Sequence, residues 1–226
     1  AATVATQMPP ASRRAETPYP RRALTTPEDH RLLRGLTRPA ADKLAALHAR
    51  LAADAQRDDV LDIAYRIVDS PVGPLLLAAT AQGLIRVGYA SEGHDAVLRQ
   101  LADKVSPRIL LAAARLDAPA RQLDEYFAGT RRVFDMPLDW RLSAGFRNTV
   151  LRHLPEIGYG HTASYAAVAE LAGNPKAVRA VGTACATNPL PVVVPCHRVV
   201  RSDGTIGGYL GGADAKRLLL DLEAAA

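Results

Sequence analysis

Residues 164–189 read SYAAVAELAGNPKAVRAVGTACATNP. The run up to Ala172 has helical character, Gly173-Asn174 turns the chain, and Pro175 is placed to open a second helix with Asn174 as its cap. Two helices joined by so short a turn have the spacing of a helix-turn-helix. The bare pattern fits any packed helix pair, so the composition of the second helix matters. It offers Ala177, Ala180, Gly182 and Ala184 beside one long cation, Arg179. Small residues let a backbone approach a duplex, whereas a helix facing a core would more often carry leucines there. The expected DNA-binding face is Asn174, Ala177, Arg179, Ala180 and Gly182.

Working outward toward the N-terminus, FRNTVLRHLPEI (146–157) opens the helical region, and the period changes before it. DIAYRIVDSPVGPLLLAATAQGLIRVGYA (62–90) holds three β-rich runs separated by DSPVGP and AQG, the pattern of an antiparallel meander. HDAVLRQLADKV (94–105) and DAPARQLDEYFAGT (117–130) are amphipathic helices, the second stopped by Gly129. A mixed α/β domain over 62–140 and a mostly helical domain over 141–226 are expected. Residues 24–61 form a helical extension of unassigned role. Thr26, Pro27 and Asp29 cap a first short helix in it, and Leu44, Leu47 and Leu51 line one face of a second. Residues 1–23, rich in proline and paired arginines with no apolar period, read as a disordered arm.

The bulk properties narrow the function. A chain of 226 residues is long enough for one large or two small domains with their own cores, and 48% hydrophobic content with a mean hydropathy of −0.03 fits a soluble globule. No apolar run reaches the roughly 20 residues that span a bilayer, and the first thirty residues lack the apolar core of a secretory signal. A cytoplasmic address and no membrane partner are expected. The net charge of +5 is carried by the ends: residues 1–23 have four arginines against one glutamate, 24–143 have sixteen of each sign, and 144–226 have eight basic against six acidic. A phosphate-contacting surface in the last third fits that distribution, as does ordinary solubility charge.

The remaining signal is a thiol. Cys185 and Cys196 are the two cysteines, expected to be free in a reducing compartment, and Cys196 stands in NPLPVVVPCHRVVRSDGTIGGYLGG (188–212) between Pro195 and His197. A thiol acts as a nucleophile only as thiolate, so it needs a base, a cation or a helix N-terminus to bring down a pKa of about 8.5. Neighbouring side chains on an extended strand point to opposite faces, so Cys196 and His197 would cooperate only across a turn, which Pro195 makes plausible, or through a water. A small buried hydrophobe beside a core histidine is the bland alternative.

PVVVPCHRVV, followed by SDGTIGGYLGGADAKRLLLDLE and preceded by the helical pair, closely resembles the O6-alkylguanine-DNA alkyltransferases over roughly residues 62–226. The first domain resembles them more loosely, through DSPVGPLLLAAT. The resemblance implies a small RNase H-like α/β domain followed by a mostly helical domain with a winged helix-turn-helix. It implies direct reversal of DNA damage: one irreversible transfer of an alkyl group from O6-alkylguanine in double-stranded DNA, with O4-alkylthymine a further candidate substrate, without cofactor or metal, by a monomer. Cys196 would be the acceptor, His197 its base through a water, and Glu223 the group that orients the imidazole. Tyr165 would donate to the departing guanine. Arg179 would fill the gap left by the extruded nucleotide. Asn188 would tie the second helix to the active-site strand. The backbone at Cys196 and Val199 would accept from the guanine amino group, and Tyr209, Leu210 and Gly211 would form the lid, with Gly207, Gly208 and Gly212 letting it approach the base. Two departures stand out. Leu210 replaces the serine that many relatives carry, leaving only a backbone N–H for O6, and both cysteines lie beyond residue 184, so the zinc site some relatives hold in the first domain cannot be built.

Two other functions compete. A damage-binding protein of the same fold would lack the acceptor, which is present here, and a cysteine hydrolase would need an oxyanion hole and would leave Arg179 unexplained.

Overall fold

The computed structural model describes residues 41–58 and 60–225. The expected arm over 1–23 and the first short helix with Thr26, Pro27 and Asp29 lie outside them. The second helix, α1, spans Ala41–Arg57. Its leucine face is not its packing face: Leu44, Leu47 and Leu51 are 44%, 59% and 52% exposed, while Ala52 and Ala55 are buried. Alanines meet the sheet because only a short side chain lets the helix approach the edge strand.

Four strands follow: β1 (Ile63–Val68), β2 (Leu75–Thr80), β3 (Gly83–Tyr89) and β4 (Ile109–Leu111), in the order β3-β2-β1-β4. The three that the turn signals separate are antiparallel, and β4 returns parallel to β1 after the crossover helix α2 (His94–Lys104). Every residue of β2 is buried, which explains why LLLAAT shows no alternation: both faces of the sheet are covered. Val97 and Leu101 of α2 cover Ile63, Leu76, Ala78 and Ile85 on one face. On the other, α3 (Asp117–Phe127) contributes Ala120, Leu123 and Tyr126 to a core that runs on into the C-terminal helices. Gly129 ends α3 at φ 72, a conformation glycine adopts without a Cβ clash.

The free side of β3 is held by two later segments. Leu84 N–H donates to Pro137 O and Asp139 N–H to Leu84 O, while Val87 N–H donates to Pro189 O at 2.9 Å. That last bond, with Arg86 Nη1 to the same carbonyl at 3.2 Å, joins the sheet to the start of the cysteine-bearing segment.

The C-terminal half contains α4 (Gly145–His153), α5 (Tyr165–Leu171), α6 (Val178–Ala186) and α7 (Gly212–Ala224). Ser164 caps α5, its hydroxyl accepting from Ala167 N–H at 3.1 Å. The expected cap at Asn174 is not formed. Asn174 to Ala177 is instead a turn closed by Ala177 N–H to Asn174 O at 2.9 Å, and α6 begins only at Val178. Proline at the second position of a turn has its φ preset and no N–H to contribute, so a separate turn satisfies the segment as well as a first helical turn would. A two-residue strand β5 (Ala163–Ser164), invisible in the sequence, pairs in parallel with β6 (Val199–Val200).

Candidate active site

The run Val192–Val194 that leads into Cys196 is not a strand. It is a series of buried turns, and Val192 adopts φ 71, a left-handed conformation that is a true outlier for a β-branched residue. Residues Cys196–Arg198 then form one turn of 3-10 helix, with Arg198 N–H bonded to Pro195 O at 3.0 Å. The turn that Pro195 allows is therefore the structure adopted, and Cys196 and His197 share it.

Asn188 organises this segment more tightly than a turn residue would. Its Nδ2 donates to Val194 O at 2.8 Å and to Cys196 Sγ at 3.1 Å, while its Oδ1 accepts from Leu190 N–H at 2.9 Å. The thiol is 2% exposed. Burial pushes its pKa up to about 11, against the opposing pull of the Asn188 N–H and the nearby Lys216 ammonium. At neutral pH the resting group is a thiol, which protects it from adventitious electrophiles. Labelling of Cys196 by iodoacetamide should accordingly be slow near pH 7 and quicken by roughly tenfold per pH unit toward about 11. Timed labelling with peptide mapping measures this, and a rate that is flat from about pH 6 to 9 would mean a thiolate at rest.

Behind the thiol lies a buried charge cluster. Glu223, three turns into α7, accepts five hydrogen bonds: from His197 Nε2 at 2.8 Å, Tyr126 OH at 2.7 Å, Arg198 Nη2 and Nε at 2.9 Å each, and Gly160 N–H at 3.1 Å. Burial alone would raise the carboxyl, but the bonds from His197 and Arg198 outweigh it and hold the pKa at about 2. His197 is fully buried, which lowers its pKa against the attraction of Glu223, and its Nδ1 has no hydrogen-bond partner among the described residues. Lys216, also fully buried, donates from Nζ to Val199 O at 2.6 Å. One lone pair of the Val199 carbonyl, expected to receive the guanine amino group, is thus already engaged.

The β5–β6 pair sets Ala163 beside Val199 and Ser164 beside Val200, and so starts α5 with Tyr165 next to the cysteine turn. Burial raises the Tyr165 pKa and keeps it a donor. A Cβ added at Gly207 would collide with the Tyr165 hydroxyl, so a side chain there would force the tyrosine out of its present position. Tyr209 OH lies 2.9 Å from Tyr89 OH of β3, and a Cβ at Gly211 would fall 2.6 Å from the Tyr89 ring. Leu210, half-buried, borders a cleft with Arg86, Arg147 and Asn188.

Cys196, His197, Glu223, Asn188, Tyr165, Val199 and Tyr209 are therefore gathered in one place. The face of α6 is separate and solvent-directed. Arg179 and Ala180 are exposed, Ala177 and Gly182 are half-buried, and no Cβ contact would meet a side chain at Gly182. Ala184, read with that face, is buried in the core instead, because it lies on the side of α6 that carries Val181 and Cys185. Arg179 forms no ion pair among the described residues. Tyr126, Arg198 and Lys216 were not singled out by the sequence. Arg198 and Lys216 had a signal, since they fall inside the two quoted motifs, whereas Tyr126 lies 70 residues away in another domain. Both cysteines are free and buried.

Comparison with known families places this geometry. Residues 63–140 match the model of the 6-O-methylguanine DNA methyltransferase ribonuclease-like domain, and residues 145–225 match that of its DNA binding domain. The chain belongs to the 6-O-methylguanine DNA methyltransferase family. A methylated-DNA--protein-cysteine methyltransferase of Methanosarcina barkeri is 38% identical over 159 residues, covering 70% of this chain and 96% of that protein. One from Mycolicibacterium paratuberculosis is 42% identical over 161 residues, 71% of this chain and 92% of the relative. A crystal structure of Mycobacterium tuberculosis OGT in complex with DNA matches with a TM-score of 0.62 at 36% identity, covering 72% of this chain and 93% of that one. The mixed sheet with β4 parallel to β1 is thus the ribonuclease-like domain of this methyltransferase family, and the four C-terminal helices are its DNA-binding domain. Among the described residues, no helix is long and apolar enough to cross a membrane.

Proposed function

We propose that the chain repairs O6-alkylguanine in double-stranded DNA by a single, irreversible transfer of the alkyl group to Cys196. The observation that carries this reading is a buried thiol bonded to Asn188 and set on the same turn as a His197–Glu223 pair. In the reaction, the S–C bond forms as the C–O6 bond breaks, and the bonding pair leaves with the guanine. The thiol proton passes through a water to Nδ1 of His197, the ring nitrogen with no partner among the described residues, and Glu223 holds the imidazolium that results. Tyr165 donates to the departing base, which leaves more readily as neutral guanine than as an anion. Because the resting thiol is protonated, ionisation is coupled to the arrival of substrate.

DNA enters over α6. Ala177, Ala180 and Gly182 give the backbone of the duplex room, Asn174 lies at the turn before them, and Arg179 takes the place of the extruded nucleotide. Tyr209, Leu210 and Gly211 cover the base. In this division residues 141–226 carry chemistry and DNA binding, residues 62–140 support them, and the role of 24–61 stays unassigned.

A hydrolase is disfavoured by one bond. Cys196 N–H donates to Val194 O at 2.8 Å, so the amide that commonly stabilises an oxyanion beside a nucleophile is occupied. Intact mass after one incubation with an O6-methylguanine duplex tests the proposal: the expected result is the gain of one methyl group per molecule and no more. Continued product formation with unmodified Cys196 would overturn it.

Arg179→Ala is expected to slow repair of duplex DNA at least tenfold while changing reaction with free O6-benzylguanine less than twofold. Extruding a base costs a few kcal/mol, and the free base has no stack to leave. Equal losses on both substrates would move Arg179 from extrusion to folding or chemistry.

A further inference from the structure

Tyr126 belongs to the last turn of α3, in the ribonuclease-like domain, yet its hydroxyl ends inside the charge cluster of the other domain. The ring is fully buried, with Phe127 and Phe134 centroids at 5.3 Å and Tyr159 at 6.0 Å. The hydroxyl is 2.7 Å from Glu223 Oε1 and 3.4 Å from His197 Nε2. A carboxylate only accepts, so the phenol proton is spent on Glu223, and the phenol oxygen presents a lone pair to His197. Nε2 then faces two acceptors and must carry the ring hydrogen. Nδ1 is left as the lone-pair nitrogen, and it is the buried ring atom without a partner among the described residues.

We propose that Tyr126 is a positioning residue for proton transfer from Cys196: its hydroxyl, reaching across the domain boundary, holds Glu223 and keeps His197 a neutral imidazole with Nδ1 free to act as base. The role of His197 as base rests on the function proposed above. The mechanism is electrostatic as well as steric. Each proton donated to Oε1 withdraws negative charge from the atom that faces Nε2, so the imidazolium is stabilised less; this outweighs the phenol lone pair, which favours the imidazolium but stands at 3.4 Å against 2.8 Å for Glu223. The other groups around His197 are Arg198 and Cys196 on its own turn, Lys216 and Glu223 from α7, and Tyr209 from the lid, whose ring centroid is 6.3 Å away. Arg198 and Lys216 lower the His197 pKa by charge, and Tyr126 adds to them, from the first domain, a hydrogen bond to the Glu223 oxygen that His197 faces.

Tyr126→Phe keeps the ring and removes the bond. Its expected signature is an upward shift of the His197 titration by about 0.5–1 pH unit, which is what loss of one ordinary hydrogen bond to the charged partner amounts to. The acid limb of transfer to Cys196 should move by the same amount, slowing the reaction about three- to tenfold near the limb and less than twofold well above it. Phe134→Leu thins the same ring cluster but leaves the hydroxyl, and should lower the Tm without moving either curve. The titration is read from 15N shifts of histidine-labelled protein, which needs no alkylated DNA, so the assignment of Tyr126 is tested even if the transfer reading fails. A His197 titration that is unchanged, or shifted downward, in Tyr126→Phe would overturn the proposal.

Discussion

Cys196→Ala is expected to abolish alkyl transfer and to leave DNA binding within about twofold of the parent chain. The thiol contributes one small buried side chain, whose volume alanine nearly matches, while the residues proposed to face DNA sit on the solvent-directed side of α6. Asn188 retains its bonds to Val194 O and Leu190 N–H in the variant, so the turn keeps its shape. Cys185→Ala is expected to keep both activities, because burial raises the Cys185 pKa even further than that of Cys196 and, among the described residues, no hydrogen bond to its sulfur offsets the rise. The two variants are compared by intact mass after incubation with an O6-methylguanine duplex and by gel shift on the same DNA. An alkyl group mapped to Cys185 would reassign the acceptor. The transferred group is permanent in the parent chain: a thioether has no carbonyl for water to attack, and neither His197 nor Glu223 can break a C–S bond.

The second large effect concerns Glu223. Glu223→Ala leaves Arg198 buried without its carboxylate, and Tyr126 and Gly160 without an acceptor, at an expected cost of about 3–5 kcal/mol. In the parent chain the same group makes stability fall in acid. Its carboxyl is held at about 2 in the fold against 4.5 in the unfolded chain, so the unfolded chain takes up the proton first as the pH drops. The contribution, about 3 kcal/mol, is complete above about pH 4.5 and is lost progressively down to about pH 2. His197 adds to the loss from higher pH. Burial lowers its pKa below 6.5, so the unfolded chain is protonated before the folded one as the pH falls through that value. Urea unfolding between pH 7 and 2 measures both. Stability that held constant from pH 5 down to 3 would mean that Glu223 is not ionised by its neighbours in the fold.

The two effects are connected through the packing of the cysteine turn. Arg198 binds Glu223 with two nitrogens and donates from Nη1 to Ile157 O at 2.6 Å, so one side chain links α7, the turn and the segment after α4. Damage to that cluster reaches the thiol through His197 and through Val199, whose carbonyl Lys216 holds.

Local sequence determined a good deal. The meander over β1 to β3 was legible because its turns are marked by Pro71, Gly73, Pro74 and Gly83, and strand pairing between sequence neighbours needs little beyond a turn. Amphipathic spacing marked α2 and α3, and the Pro-Cys-His string, with the glycine loop and final helix after it, marked the segments that come together around the buried thiol. Where the sequence misled, short-range patterns competed on nearly equal terms. The leucines of α1 have helical spacing, but spacing does not say which face a helix buries, and the alanine face won at the sheet edge. At Asn174-Pro175 a turn and a first helical turn use the same residues. Only the tertiary structure decided the rest. The strand pair β5–β6 is two residues long on each side, below any periodic signal, and exists because the chain returns there. Tyr126 looks like one more apolar position of α3 until α7 brings Glu223 to its hydroxyl across 97 residues of sequence. A bond of that span is settled by how two domains pack, which no local window of sequence contains, and it is why the cysteine turn could be picked out in the sequence while the full environment of His197 could not.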